Sequence, residues 1–468
     1  MSSHSFDLVV LGGGSAGYAA ALRAAELGRS VALVEQDRLG GTCLHRGCVP
    51  TKALLHTAEV ADGVRHAAAV GVRASLDGID AAAARAWREK VVAGKHRGLT
   101  SLIRSRGITV VDGRGTLTSS AERPAVAVGD DLFVADDVVV ATGAVSRSIP
   151  GLALGGRILD SEAALALDEV PERAIVLGGG VIGVEFASAW RSLGAEVTIV
   201  EALDHLIANE DPSSRAALEK AYRRRGITLE LGARVSEVSA GADSVSLTFE
   251  RDGSSSTLDA DVVLAAVGRA PVTDGLGLEA AGARTERGFV VVDEALRTTA
   301  PHVWAVGDIV AGPQLAHRGF RHGIFVAETI AGEAPSPLDD ALFPRVTYSS
   351  PEVASVGLTE PQAIAAHGAE RVVAREVPLA GNAKSEIVSA GSPVRGGFAK
   401  VVALDGGPIL GVHLVGDRVG ELITEGQLAV AWEARADDLA PLIHAHPTQS
   451  EALGEAFLAL AGSPLHTT

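Results

Sequence analysis

A short apolar run, Phe6–Leu11, ends in Gly12-Gly13-Gly14, and behind it come an alanine-rich stretch of helical length, Ala16–Leu27, and a second apolar run, Ser30–Glu35. The order strand, tight turn, helix, strand returns at Arg173–Glu201 with Gly178-Gly179-Gly180 at the turn. One offset separates both Gly12 from Gly178 and Glu35 from Glu201. Near-continuous apolar strands alternating with helices specify parallel sheets covered on both faces, because the crossover helices bury both sides. The chain therefore reads as an α/β protein with two doubly wound, Rossmann-like dinucleotide-binding domains.

The turns carry the chemistry. Gly12-x-Gly14-x-x-Gly17 opens a helix, and Glu35 stands eighteen positions past Gly17 at the end of the next strand. Such glycines let a pyrophosphate approach the helix N-terminus, whose free N–H groups and dipole favour anions, while the acid accepts ribose hydroxyl protons. Gly178-x-Gly180-x-x-Gly183 with Glu201 repeats the spacing. A carboxylate at Glu201 suits the free 2′-hydroxyl of NAD and repels the 2′-phosphate of NADP. One such turn could serve tight packing alone. Two, each followed by its acid, point to electron transfer between two dinucleotides, most simply a bound flavin and a diffusing nicotinamide.

Composition narrows the class. The 468 residues are 47% hydrophobic with a net charge of −17, which fits a multidomain globular protein and disfavours nucleic acid and anionic membrane as partners. No apolar run approaches the length of a membrane span, and Met1–Ser5 has no basic leader, so a cytoplasmic location is expected.

Only two cysteines occur, Cys43 and Cys48, too few for a disulfide framework. They follow the first fold's second strand, and a helix beginning near Cys48 would lower its thiol pKa. The other readings are inert buried thiols, or half a zinc site completed by His45 and His56. A structural zinc wants four closed ligands, so a redox pair is favoured. Lys52 lies one helical turn beyond Cys48, although a solvated lysine is the default.

Beyond about Phe343 the pattern changes to strand-like Arg345–Tyr348, Phe398–Leu404 and Ile409–Val415, then helix-like Val419–Glu433, a third, α+β domain. Connections near Arg147–Gly156 and Ala334–Asp340 divide the chain into segments 1–148, 149–267, 268–342 and 343–468. At the far end His446 stands five positions before Glu451, the spacing of an imidazole held by a carboxylate; His444 and His446 could equally be structural histidines beside Pro447.

Together, the box Gly40–Lys52, the paired glycine motifs, Ala141-Thr142-Gly143, Gly307-Asp308 and His444-Ala445-His446-Pro447-Thr448 with Glu451 resemble the pyridine nucleotide–disulfide oxidoreductases across essentially the whole chain, and within them the dihydrolipoamide dehydrogenase family. The resemblance implies FAD on Gly12, Gly14, Gly17, Glu35, Gly41, Thr42, Lys52, Gly115, Thr142, Gly143, Asp308 and the segment Gln314, Leu315, Ala316, His317. It implies NAD on Gly178, Gly180, Gly183, Glu185, Glu201, Val235 and Gly268. Cys43 becomes the interchange thiol facing substrate, Cys48 the thiol facing the flavin, His446 the base orientated by Glu451, and Lys52 the partner of Glu185. No metal is implied.

By the same resemblance the segment 343–468 forms a homodimer whose subunits share the active site, and the dimer docks on the dihydrolipoyl acyltransferase core of a 2-oxo acid dehydrogenase complex. The implied reaction oxidises dihydrolipoamide to lipoamide with NAD+ as final acceptor. The rivals are an NADPH-driven disulfide reductase of the glutathione reductase type, against which Glu201 and Val181 argue, and a catalytically silent docking subunit. His45 stands where the family often has Asn, Thr51 where Ser is common, and Ala270 where a second basic residue is frequent.

Overall fold

A computed structural model describes residues 2–120, 123–390 and 392–467. The chain forms two compact units, the first from residues 1–50, 86–147 and 269–340, the second from 51–85, 148–268 and 341–468.

In the first unit the strands Thr109–Asp112, Val31–Glu35, Ser3–Leu11 and Asp131–Val140 lie side by side in parallel, with Val303–Ala305 also parallel to the last. An antiparallel hairpin, Gly115–Ser120 and Arg123–Val128, extends this sheet. Side chains alternate between two cores. Leu8 and Val10 pack with the helix Ser15–Glu26 and the helix Ala316–Ala331 on one face, and Val9 and Leu11 join Val126 and Phe133 on the other. Each buried Val or Leu contributes roughly 1.5–3 kcal/mol. The two helices approach closely because Gly323 has no side chain: a Cβ there would sit 2.3 Å from the Ala16 carbonyl oxygen.

The second unit repeats the plan with Thr228–Glu230, Glu196–Val200, Arg173–Leu177, Val262–Ala265 and Ile158–Leu159, all parallel. Ala174 and Val176 face one core, Ile175 and Leu177 the other. An antiparallel meander, Arg234–Ala240, Val245–Arg251 and Ser254–Ala260, packs on the second of these cores. The C-terminal part is a five-stranded antiparallel sheet ordered Arg345–Thr347, Glu352–Gly357, Ile409–Gly416, Phe398–Leu404 and Val372–Pro378, with the helices Ile423–Ala431 and Glu451–Leu460 in its core.

The α/β class with two doubly wound sheets and an α+β C-terminal part stands as the sequence indicated. One element differs. The helix expected over Val419–Glu433 is a 3-10 turn, Val419–Glu421, followed by the helix Ile423–Ala431. The Gly420 N–H, a first-turn donor with no partner within the helix, donates to Glu352 Oε2 at 2.8 Å.

That carboxylate gives a testable pH dependence. Burial pushes the Glu352 carboxyl up to about 7 from an ordinary 4.5, the Gly420 N–H partly opposes this, and Asp417, Glu421 and Glu59 push in the same direction as burial. An acid whose folded pKa is raised stabilises the fold below its unfolded pKa, and that contribution is lost as pH rises through the folded value. Glu352→Gln keeps an acceptor for Gly420 without the charge. Urea unfolding is expected to show the variant more stable than the parent at about pH 8, by at most about 3 kcal/mol, with the gap closing near pH 4.5.

Candidate functional site

The first glycine turn divides its glycines by task. Gly12 has φ +107°, and a Cβ there would lie 2.5 Å from the Ala141 carbonyl oxygen; a Cβ on Gly17 would lie 1.8 Å from the Gly12 oxygen. Both are demanded by internal packing. Gly14 is not, since the nearest atom to a Cβ there is the Gly41 Cα at 3.9 Å. Gly14 is the N-cap of the helix Ser15–Glu26, no side chain caps it, and its open side is where a ligand's phosphates would approach the backbone. Glu35 is held at the rim: its Oε2 accepts from Gly13 N at 2.7 Å and its Oε1 from Asp37 N at 2.9 Å.

Of the other residues expected around a flavin, Gly115, Thr142, Gly143, Asp308 and Gln314–His317 fall in the same unit, and Lys52 falls in the second. Asp308 sits in the turn Gly307–Ile309, half-buried, and its carboxylate accepts no hydrogen bond among the described residues. Burial pushes it up, with Arg269 and Arg318 opposing. Gln314 Nε2 is a buried donor without an acceptor among the described residues. Leu315 is the uncapped N-cap of the helix that begins Ala316-His317. Unpartnered acceptor, unpartnered donor and bare helix start suit a ribityl chain and the polar edge of a flavin ring. Thr142 Oγ1 donates to the Val272 carbonyl at 2.8 Å, and Gly143 has φ +72°. Gly115 is a packing glycine: a Cβ would meet Leu11 at 2.5 Å and Val126 at 2.7 Å.

Cys43 and Cys48 are joined in a disulfide. Cys43 lies in the short helix Gly41–Arg46 and Cys48 is the first residue of the helix Cys48–His66, with Gly47 between them. The bridge is built onto the first cradle: a Cβ on Gly41, φ +58°, would lie 2.7 Å from Gly14 Cα. Thr42 immediately precedes Cys43 in the same short helix. His45 turns its Nε2 to the Leu39 carbonyl at 2.9 Å, a carbonyl His96 Nδ1 also reaches at 3.0 Å. With both sulfurs bonded to each other, and no cluster of three potential metal ligands among the described residues, the zinc reading of Cys43, Cys48, His45 and His56 is set aside.

The second turn reproduces the first. A Cβ on Gly178, φ +109°, would lie 2.4 Å from the Ala266 oxygen, and one on Gly183 would lie 2.0 Å from the Gly178 oxygen. A Cβ on Gly180 would meet nothing. Gly180 caps the helix Val181–Leu193 without a side-chain bond. Glu201 accepts from Gly179 N at 2.5 Å and from Leu203 N at 2.7 Å. Gly268, φ +109°, is also open, while Val235 sits in the meander, half-buried against its core.

Lys52, on the second turn of the helix that Cys48 begins, is no solvated surface lysine. Its Nζ donates to Glu185 Oε1 and Oε2 at 2.9 and 2.8 Å. Glu185 Oε1 also accepts from Tyr348 N at 2.9 Å, and the Lys52 ammonium lies 4.7 Å from the Tyr348 ring centroid. Tyr348 escaped the sequence reading because nothing in a single sequence links positions so far apart.

The two C-terminal histidines separate cleanly. His444 Nε2 meets Glu425 Oε1 at 2.7 Å, with the ring seated over Gly454, where a Cβ would lie 2.5 Å from its Nδ1. It is half-buried and structural. His446 is 75% exposed, and its Nδ1 meets Glu451 Oε1 at 2.9 Å. Thr448 N donates to Glu451 Oε2 at 2.8 Å. That backbone N–H, and then His446, hold the Glu451 carboxyl below its usual range. An ionised Glu451 favours the tautomer with the proton on Nδ1. Asn382 Nδ2 pins the Thr448 carbonyl at 2.9 Å, and Gln449 Nε2 pins the Asp417 carbonyl at 2.8 Å. Cys43 and Cys48 belong to the first unit, His446 and Glu451 to the second.

Residues 6–323 match the family model described as pyridine nucleotide-disulphide oxidoreductase, and residues 343–457 match the dimerisation domain of that family. The dihydrolipoyl dehydrogenase of Bacillus subtilis (strain 168) is 38% identical over 476 residues, covering 98% of this chain and 99% of that protein. That of Mycobacterium tuberculosis (strain CDC 1551 / Oshkosh) is 39% identical over 464 residues, covering 98% of each. Among solved structures, LpdA from Mycobacterium tuberculosis aligns with a TM-score of 0.87 at 30% identity, covering 98% of this chain and 100% of that one. A Cu(II) complex of the HOCl-induced flavoprotein disulfide reductase RclA from Escherichia coli aligns with a TM-score of 0.85 at 28% identity, covering 97% and 99%. No helix among the described residues is long and apolar enough to cross a membrane.

Proposed function

The chain belongs to the pyridine nucleotide-disulphide oxidoreductase family, and from that premise we propose that it is a dihydrolipoyl dehydrogenase, oxidising dihydrolipoamide to lipoamide through Cys43–Cys48 and FAD with NAD+ as acceptor. One observation carries the reading: the disulfide is built onto the first dinucleotide cradle, Gly41 pressing against Gly14, and ends on the first residue of a helix.

FAD is assigned to segments 1–148 and 268–342, on Gly12, Gly14, Gly17, Glu35, Gly41, Thr42, Lys52, Gly115, Thr142, Gly143, Asp308 and Gln314–His317. NAD is assigned to segment 149–267, on Gly178, Gly180, Gly183, Glu185 and Glu201, with Val235 and Gly268 at its edges. Bound FAD supplies a two-electron carrier between thiols and the nicotinamide.

The chain's own residues do the rest. His446 Nε2 takes a proton from one substrate thiol, and the thiolate attacks Cys43 Sγ, breaking its bond to Cys48. Cys48 leaves as a thiolate, favoured at a helix N-terminus. The second substrate thiol then displaces Cys43, forming the substrate disulfide and leaving the protein pair reduced with the two protons released. Lys52, neutralised by Glu185, holds its ammonium one turn along the same helix. In the homodimer that the dimerisation domain supports, His446 of the partner subunit serves each disulfide, with Glu451 of the partner subunit orienting it. The dimer docks on a dihydrolipoyl acyltransferase core in the cytoplasm.

The test is a paired assay, lipoamide-dependent oxidation of NADH against glutathione-disulfide-dependent oxidation of NADPH. Activity confined to the second pair would overturn the assignment. A second expectation concerns Glu201, whose loss in Glu201→Ala strands the Gly179 and Leu203 N–H groups and removes the ribose acceptor. The KM for NAD+ should rise roughly 10-fold or more, since a hydrogen bond to a charged group is worth about 1.5–3 kcal/mol. An unchanged KM would place the nucleotide elsewhere.

A further inference from the structure

The helix Val181–Leu193 is buried almost all round, yet one of its faces is polar. Glu185, Ser188 and Ser192, at i, i+3 and i+7, share that face and are 2%, 2% and 4% exposed. Every one is bonded. Glu185 takes Lys52 and Tyr348 N as described. Ser188 Oγ accepts from Ser350 N at 2.9 Å and from Arg225 Nη1 at 2.8 Å. Ser192 Oγ accepts from Arg225 Nη2 at 2.6 Å and donates to Asp62 Oδ2. The Ser192 carbonyl accepts from Arg65 Nη1.

Arg225 organises this face. Its guanidinium, nearly buried, also reaches the Ser188 carbonyl at 3.0 Å and the Ser350 carbonyl at 2.8 Å, and lies 4.0 Å from Asp62. Asp62 and Lys52 belong to the helix Cys48–His66, while Tyr348 and Ser350 belong to the turn before the strand Glu352–Gly357. The Val181–Leu193 helix is therefore tied along its length by directional bonds to the helix Cys48–His66, to the turn at Tyr348–Ser350 and to Arg225, the C-cap of the helix Pro212–Arg224. Apolar packing is non-directional, and forked hydrogen bonds add a fixed direction to it. The first turn of this same helix is the second cradle, with Gly180 as its cap.

We propose that Ser188, Ser192 and Arg225 are positioning residues for the nicotinamide half-reaction, fixing the axial rotation of the Val181–Leu193 helix so that its N-terminus meets the pyridine nucleotide in one orientation. This rests on the reading of the second cradle as the NAD site.

Ser188→Ala is the test, because it removes one oxygen that accepts two bonds and opens no large cavity. NADH affinity is measured by fluorescence titration of the holoenzyme, and reduction by NADH and by dihydrolipoamide are followed separately by stopped flow. NADH binding and reduction by NADH should each weaken roughly 5- to 20-fold, with reduction by dihydrolipoamide staying within about twofold. If the parent binds no NADH, the assignment of the cradle fails and the inference with it. If the parent binds NADH and Ser188→Ala binds it equally well, or if both half-reactions slow in the same proportion, the positioning role is overturned and the cradle assignment stands. Arg225→Met should exceed the effect of Ser188→Ala in the same direction; a folded variant with unaltered NADH binding also overturns the proposal.

Discussion

Cys48→Ser is expected to yield a protein that stays yellow and does not turn over. The residues assigned to FAD are held by the fold independently of the sulfur: Gly12 and Gly17 by backbone packing, Glu35 by Gly13 and Asp37, and Asp308 by its own turn. Flavin content should therefore match the parent. Without Cys48, Cys43 has no sulfur to bond, and the substrate thiolate has no disulfide to attack. Serine cannot replace it, since an alkoxide is neither a competent leaving group nor a redox centre. Lipoamide turnover should fall by at least ~1,000-fold, as expected when a unit of the reacting machinery is removed whole. The check is flavin absorbance beside lipoamide-dependent NADH oxidation on one preparation. A tenth of parental turnover remaining would remove Cys48 from the electron path.

His446→Gln should slow the dithiol half-reaction by about 100- to 10,000-fold, the range for loss of a positioned general base. Glutamine can still hydrogen-bond Glu451 Oε1, so the loop pinned by Thr448 N and Asn382 keeps its shape and the loss is one of proton transfer. The half-reactions separate this from misfolding: in the variant only the dithiol step lacks its proton acceptor. Reduction by NADH should be little changed, since it needs no thiol deprotonation. Equal slowing from both directions would argue against the assigned role.

Much of this was legible because local rules govern it. The strand Phe398–Leu404 and the helix Val181–Leu193 fall where apolar runs and glycine stops put them, and Glu35 and Glu201 occupy the strand ends their spacing indicated. The strand ending near Val140 begins earlier than its apolar core suggests, at Asp131, because pairing with Ser3–Phe6 recruits polar positions. The Val419–Glu433 run opens as a 3-10 turn and is helical only from Ile423, with the Gly420 N–H held by a glutamate from a neighbouring strand. The division between His444 and His446 was not readable in sequence, because both precede a carboxylate-bearing helix and only Glu425, on another helix, tells them apart. Tyr348 over Lys52 and Arg225 between Ser188 and Ser192 are long-range pairs of the same kind.

The unequal duties of the three glycines in each turn bear on how this lineage can drift. Gly12, Gly17, Gly178 and Gly183 are locked by steric collision inside the fold, so selection for foldability alone retains them even in a descendant that has abandoned its nucleotide. Gly14 and Gly180 enjoy no such protection. In a diverged copy, the middle position is where a bulky newcomer would first betray a relic whose architecture has outlived its trade.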